Sequence, residues 1–251
     1  MTILNWTELS ILQFIFFFAG ALLTGIARTG IFGVMLMVVP FLSLIMDGKD
    51  AAGLILPLMI AGDFVAAFIY RMTFNKNAAF QILPWILAGV FLGVLVGGSV
   101  SNRLFKIVMA GTTFTCAGFV IWNEFNQQRK PKLKIWMIAV IGILSGFASM
   151  IGNAAGPIIA VYFLALRLEK LEYVSSIVWL FWVVNIVKLP FHIFVWETID
   201  CNVLKTDLLS IPALLAGLAA GVWVLKRIPE KPFRIVVLVS IFIAGIMLLI
   251  P

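Results

Sequence analysis

Leu83–Val96 reads LPWILAGVFLGVLV, and Ile211–Val224 reads IPALLAGLAAGVWV. Seven of the fourteen positions are identical without a gap, among them Pro84/Pro212, Gly89/Gly217 and Gly93/Gly221. Apolar segments resemble one another cheaply, but a shared spacing of proline and glycine does not. The match therefore predicts a duplicated chain, in line with the rule that internal repeats are sought first. The register continues to Phe105/Phe233 and Lys106/Arg234. Each copy also holds a Gly-xxx-Gly pair, the spacing that lets helices approach closely in a bilayer.

The surroundings of these stretches fix the class. Of 251 residues, 63% are hydrophobic and 12% charged. A soluble domain carries about 45–50% apolar and about 25% charged residues. This excludes an ordinary water-soluble enzyme, a disordered chain and a nucleic-acid binder. Ten apolar runs can be marked, at 9–27, 31–46, 51–70, 80–99, 104–122, 135–152, 157–166, 173–194, 207–226 and 233–250. A bilayer-spanning helix takes about 20 such residues, so the chain has room for little beyond its membrane segments. The expected fold is an all-α polytopic membrane protein. Residues 1–122 form a first repeat, 123–134 (NEFNQQRKPKLK) a linking loop and 135–251 a second repeat. The first apolar run lacks a basic start, so it is read as part of the fold and not as a signal peptide.

Charge gives the orientation. With the linker placed inside, 71–79, 167–172 and 226–234 fall on the same side. These four regions hold twelve of the eighteen basic residues, against four outside. That is the positive-inside bias, and it accounts for the net charge of +7 without nucleic acid. Both termini come out extracytoplasmic. One repeat then starts outside and the other inside, the inverted topology found in secondary transporters.

Each half opens with a run that must turn back. Pro157–Leu166 is ten residues, about 15 Å of helix, half of a hydrocarbon core of about 30 Å. The run 31–46 is interrupted by Pro40. A broken or re-entrant helical hairpin is expected in each half, with three spanning helices after it. Their tips read TGIARTGIFG (Thr24–Gly33) and SGFASMIGNAAGP (Ser145–Pro157). Irregular backbone at membrane depth survives only where protein or a wet cavity covers it. Pro157 suits a first helical turn, whose free N–H groups attract anions.

Polar residues inside the apolar runs mark the candidate site. Arg28 lies in the first tip and Asp63 midway along 51–70, while Asn185, Lys188 and His192 lie along 173–194. Asn185 and Lys188 share a helix face. Intramembrane ionisable residues are expensive and are functional candidates by default. The competing reading is a structural ion pair of Asp63 with Arg28 or Lys188. His192, near the end of its run, is read as interfacial. Tyr162 and Trp179 are weaker candidates for lining a cavity. Two buried cations against one carboxylate favour a small anion as ligand. The candidate substrate-binding residues are Arg28, Thr29, Gly30, Ser149, Gly152, Asn153, Ala154, Gly156, Asn185 and Lys188. Asp63 either holds a basic residue in place or carries a coupling proton. Two cysteines, Cys116 and Cys201, and a single histidine make a poor metal site, and neither a metal nor a cofactor is expected.

SGFASMIGNAAGPIIAVYFLALRLEK, VNIVKLPF and LPLMIAGDFVAAFIYR resemble the TauE/SafE family of membrane permeases, often called sulfite exporters, over about residues 9–250. The resemblance implies a bacterial multi-pass permease of the cytoplasmic membrane for sulfite, a sulfonate or a related organosulfur or carboxylate anion. It also implies that the two tips meet at the substrate. The tips depart from the glycine clusters common in that family: Arg28-Thr29-Gly30-Ile31-Phe32-Gly33 and Asn153-Ala154-Ala155 stand there instead. The expected function is a secondary anion transporter working by alternating access, not an enzyme. A passive anion channel is the alternative, and an intramembrane enzyme a distant one. No ATP-binding glycine-rich loop occurs in the sequence, so a gradient would supply the energy. A homo-oligomer is left open.

Overall fold

The computed structural model describes residues 11–30, 34–42, 45–46, 48–70, 74–96 and 133–229, with isolated positions at 114, 118 and between 232 and 246. All the regular secondary structure among these residues is helical. In chain order they form α1 (Ile11–Ala27), α2 (Met35–Leu42), α3 (Gly48–Ile69), α4 (Lys76–Val96), α5 (Ile135–Gly152), α6 (Gly156–Ala165), α7 (Lys170–Phe194) and α8 (Cys201–Arg227). Five are long and apolar enough to cross a membrane: Asp50–Ile69 within α3, then α4, α5, α7 and α8. Most of the runs 104–122 and 233–250, Cys116, and most of the 123–134 linker lie outside the described residues.

Four spanning helices start earlier than their apolar runs, and at α4 and α8, where the extension is longest, caps explain why. Asn75 Oδ1 accepts from the Ala78 N–H at 2.9 Å, opening α4. Asp200 Oδ1 accepts from the Val203 N–H at 2.8 Å, opening α8. Such caps satisfy N–H groups that lack an intrahelical partner. They let polar first turns join helices whose apolar runs begin later. At the other end of α8, Lys226 and Arg227 sit in the last turn, where cations suit the helix dipole. Lys170 Nζ donates there to the Leu225 and Ile228 carbonyls, at 2.9 and 2.7 Å.

The duplicated stretches lie in α4 and α8, and each packs along the first helix of the opposite half. α1 runs against α8, and α5 against α4. The contacts repeat position by position. A Cβ on Gly25 would strike the Leu214 carbonyl, and one on Gly146 the Ile86 carbonyl. Gly217 lies against Leu22 as Gly89 lies against Ile143. Gly221 meets Thr29 as Gly93 meets Met150. Backbone touches backbone in both seams, so any side chain at these glycines has nowhere to go.

The outward faces of α4 and α8 carry Phe91, Leu95, Leu208 and Trp223, all more than half or about half exposed, as lipid-facing surface requires. α6 is the opposite case. All ten of its residues are buried, which is what a helix apolar on every side demands. α2 and α6, of eight and ten residues, are the short second limbs expected of the two opening hairpins.

Candidate functional site

Both hairpin tips converge on one face of α7. Phe181, Asn185, Lys188 and His192 recur at helical spacing and are all buried. The first tip reaches this face through Arg28, just beyond the end of α1. Its guanidinium Nη1 lies 3.1 and 3.4 Å from the two Asp63 carboxylate oxygens. The guanidinium carbon sits 5.4 Å from the Phe181 ring centre, within cation–π range. Asn185 Nδ2 donates to the same carboxylate at 2.8 Å. Gly62 makes room for this arrangement, since a Cβ there would come within 3.1 Å of the Arg28 side chain. Thr29 is buried and donates to the Ile26 carbonyl at 2.7 Å. Gly30 adopts a φ of 120° with Val174, Leu225 and Phe233 around it. Only glycine takes that backbone without strain.

The second tip reaches the face one turn further along. α5 ends in a Schellman turn: Asn153 stands in the left-handed region at φ 53°. Its N–H bonds the Ser149 carbonyl, and the Ala154 N–H bonds the Ala148 carbonyl. Asparagine is among the few residues other than glycine that tolerate this conformation. The turn aims the Asn153 side chain back at the core. Asn153 Oδ1 accepts from Lys188 Nζ at 2.5 Å, and Nδ2 donates to the Ala52 carbonyl of α3 at 3.0 Å. Lys188 also donates to Ser149 Oγ at 3.2 Å. α6 then starts at Gly156 with Pro157 in its first turn and without a side-chain cap.

The two clusters differ in charge. Arg28 and Asp63 form the one ion pair found among the described residues, with both side chains at or below 2% exposure. Lys188 is equally buried, and its hydrogen-bond partners are both neutral oxygens. Arg28 Nε and Asn185 Oδ1 are buried without a hydrogen-bond partner among the described residues. The cluster thus holds Arg28, Lys188 and one carboxylate, with unused polar capacity on both sides of Asp63.

The structure brings together Arg28, Asp63, Ser149, Asn153, Asn185 and Lys188, as the sequence suggests. Gly152, Ala154 and Gly156 shape the second tip and are backbone elements of the turn. The described hydrogen bonds do not join the tips to each other; the first tip bonds Asp63 of α3, which α7 reaches through Asn185, and the second bonds Lys188 of α7. His192 lies in the last turn of α7, as its place near the end of the run implies, and there it is covered by protein. It is fully buried, its Nδ1 lies 2.8 Å from Thr198 Oγ1, and its ring meets Trp196 edge to face. The segment after α7 folds back over it, which a linear reading of its position cannot reveal. Tyr162 is buried and its hydroxyl donates to the Ala78 carbonyl at 2.9 Å, and Trp179 stacks on Phe74. Both are packing residues here.

Asp207 escaped the sequence reading. It stands at the edge of an apolar run, yet α8 begins at Cys201 and so places it two turns in. It is 5% exposed, and neither carboxylate oxygen has a partner among the described residues. A signal existed in the sequence: Asp207, Ser210, Leu214 and Gly217 share the face that packs on α1.

The family model described as Sulfite exporter TauE/SafE matches residues 14–248. No curated protein and no solved structure matches the chain.

Proposed function

The chain belongs to the TauE/SafE sulfite exporter family and is a multi-pass membrane protein, and from this premise we propose that it is a secondary transporter binding a small oxyanion, such as sulfite or a sulfonate, at Lys188. One observation carries this reading. Lys188 is a fully buried lysine inside a membrane-spanning helix, and its hydrogen-bond partners are both neutral oxygens. A buried charge without a counter-ion is costly, on the order of several kcal/mol, and an incoming anion removes that cost. Ser149, Asn153 and the uncapped first turn of α6 offer further hydrogen bonds to its oxygens. Arg28 and Asn185 flank the site through Asp63.

The site lies between two inverted repeats, residues 1–122 and 135–251, that rock against each other to alternate access. The exchange of partners supports the repeats: each half's first helix packs on the other half's glycine-matched helix, with equivalent residues in contact. Two tethers support one common side for the basic loops. Asn75 bonds Glu172 and Ser176, and Lys170 bonds the end of α8. With the positive-inside bias, that side is cytoplasmic and the termini extracytoplasmic.

The experiment is a thermal-shift screen of the detergent-purified protein with sulfite, thiosulfate, sulfoacetate, taurine, acetate and chloride, beside Lys188→Ala and Arg28→Ala. Stabilisation by an oxyanion class, lost in Lys188→Ala, is the expected result. A shift that Lys188→Ala keeps in full removes the site from α7.

A further inference from the structure

We propose that Asp63 is a charge-matching proton site: it takes up one proton when the bound substrate is a dianion and none when it is a monoanion. The inference rests on the anion site at Lys188. It follows from counting charge among buried side chains that water does not screen. The charged groups facing Asp63 are Arg28 from the end of α1 and Lys188 from α7, with His192 one turn beyond Lys188. Among the described residues, α2, α5 and α8 bring no further charge within reach of it. With Asp63, Arg28 and Lys188 all ionised, this cluster carries one net positive charge. A monoanion beside Lys188 neutralises it. A dianion overshoots by one negative charge, and two anionic groups then share one buried space. Like charges held that close force one of them to bind a proton.

The geometry gives that proton a place and a use. Asp63 oxygens now occupy Arg28 Nη1 and Asn185 Nδ2. Protonating the carboxylate weakens its hold on both donors and frees them for the dianion, which has more oxygen charge to satisfy. The protonated carboxyl can itself donate a hydrogen bond. Asn185 Oδ1, buried and without a partner among the described residues, is an acceptor on the residue that already touches it. The bond made is O–H on Asp63, the proton comes from solvent with the substrate, and no other group changes state. Transport of a dianion thus carries a proton with it, and transport of a monoanion does not.

The test uses the full-length protein in detergent and two probes whose charge is fixed near neutral pH, thiosulfate (dianion) and methanesulfonate (monoanion). Affinity is measured by calorimetry from pH 6 to 8.5. The wild-type affinity for thiosulfate is expected to fall about tenfold per pH unit on the alkaline limb, as one linked proton requires. Methanesulfonate affinity stays flat. Asp63→Asn is expected to bind thiosulfate with no pH slope, and Asp63→Glu to keep the slope. Proton uptake in weak buffer, one per thiosulfate and none per methanesulfonate, gives the same answer without a variant. A flat thiosulfate profile, or a slope that Asp63→Asn retains, overturns the proposal. Equal slopes for both probes also overturn it, because they assign the titration to Lys188. Failure of both probes to bind at any pH defeats the anion site instead, a result distinct from all of these.

Discussion

The two hairpin tips reach the same helix face but solve the burial of charge in opposite ways. The first tip delivers Arg28 to a carboxylate, with Asp63 at 3.1 Å and Asn185 completing the set. The second delivers only neutral oxygens, from Ser149 and Asn153, to a cation that α7 supplies. An ion pair in hydrocarbon is self-sufficient, whereas an ammonium held by a hydroxyl and an amide is satisfied in hydrogen bonds but not in charge. The difference teaches that the first tip is matched in charge, whereas the second meets its lysine with neutral oxygens alone, which is why the proposed anion site is placed there. The helices that carry the tips pack alike, so the contrast lies in the side chains.

The largest expected effect comes from breaking the paired side. Arg28→Met leaves Asp63 buried without its counter-ion and should destabilise the protein by about 3–5 kcal/mol. Thermal denaturation in detergent checks this, and Arg28→Met with Asp63→Leu should recover most of the loss. If the double variant is as unstable as the single one, the pair is not the reason.

Lys188→Met sharpens the contrast. It removes a group whose hydrogen-bond partners are neutral, leaving Asn153 Oδ1 and Ser149 Oγ short of a donor. The stability loss should be smaller, about 1–3 kcal/mol, while oxyanion binding disappears. A loss equal to that of Arg28→Met would mean that Lys188 is also paired in the folded protein.

Asn153→Asp turns the second tip into a copy of the first by giving Lys188 a carboxylate. Expected are unchanged or raised thermal stability and oxyanion affinity at least tenfold weaker by calorimetry. Undiminished affinity would show that charge at this tip does not decide binding.

The smallest expected difference is between the seams. Gly25→Ala and Gly146→Ala each put a methyl group onto a backbone carbonyl of the facing helix. Each should cost about 1–3 kcal/mol, the usual range for overpacking, and the two should agree within about 1 kcal/mol. A wide gap in denaturation midpoints would place the contrast between the tips in their helices after all.

Much of this arrangement could be read from the chain, because polar residues in a bilayer announce themselves. Arg28, Asp63, Asn185 and Lys188 stood out as charges or amides in apolar runs, and all four are buried together. The ten-residue α6 followed from its length, and the close seams from matched Gly-xxx-Gly pairs. The choice of partner for Asp63 was not legible. It depends on how far α3 slides along α7, which no local spacing records. The burial of His192 was not legible because Thr198, six residues on, returns to cover it. Asp207 was passed over because the cap at Asp200 extends α8 beyond its apolar run. These misses share one cause: each turns on where a chain segment ends or folds back, which apolar periodicity does not encode.

The central claim is that an oxyanion sits at Lys188, and a heavy analogue can be seen there directly. Crystals grown with selenate allow the selenium to be located by anomalous scattering. The account predicts a selenium peak whose oxygens lie within hydrogen-bond distance of Lys188 Nζ and beside the first turn of α6, with the Arg28–Asp63 contact as its neighbour. A selenate bound elsewhere, with Lys188 still held only by Ser149 and Asn153, would contradict it.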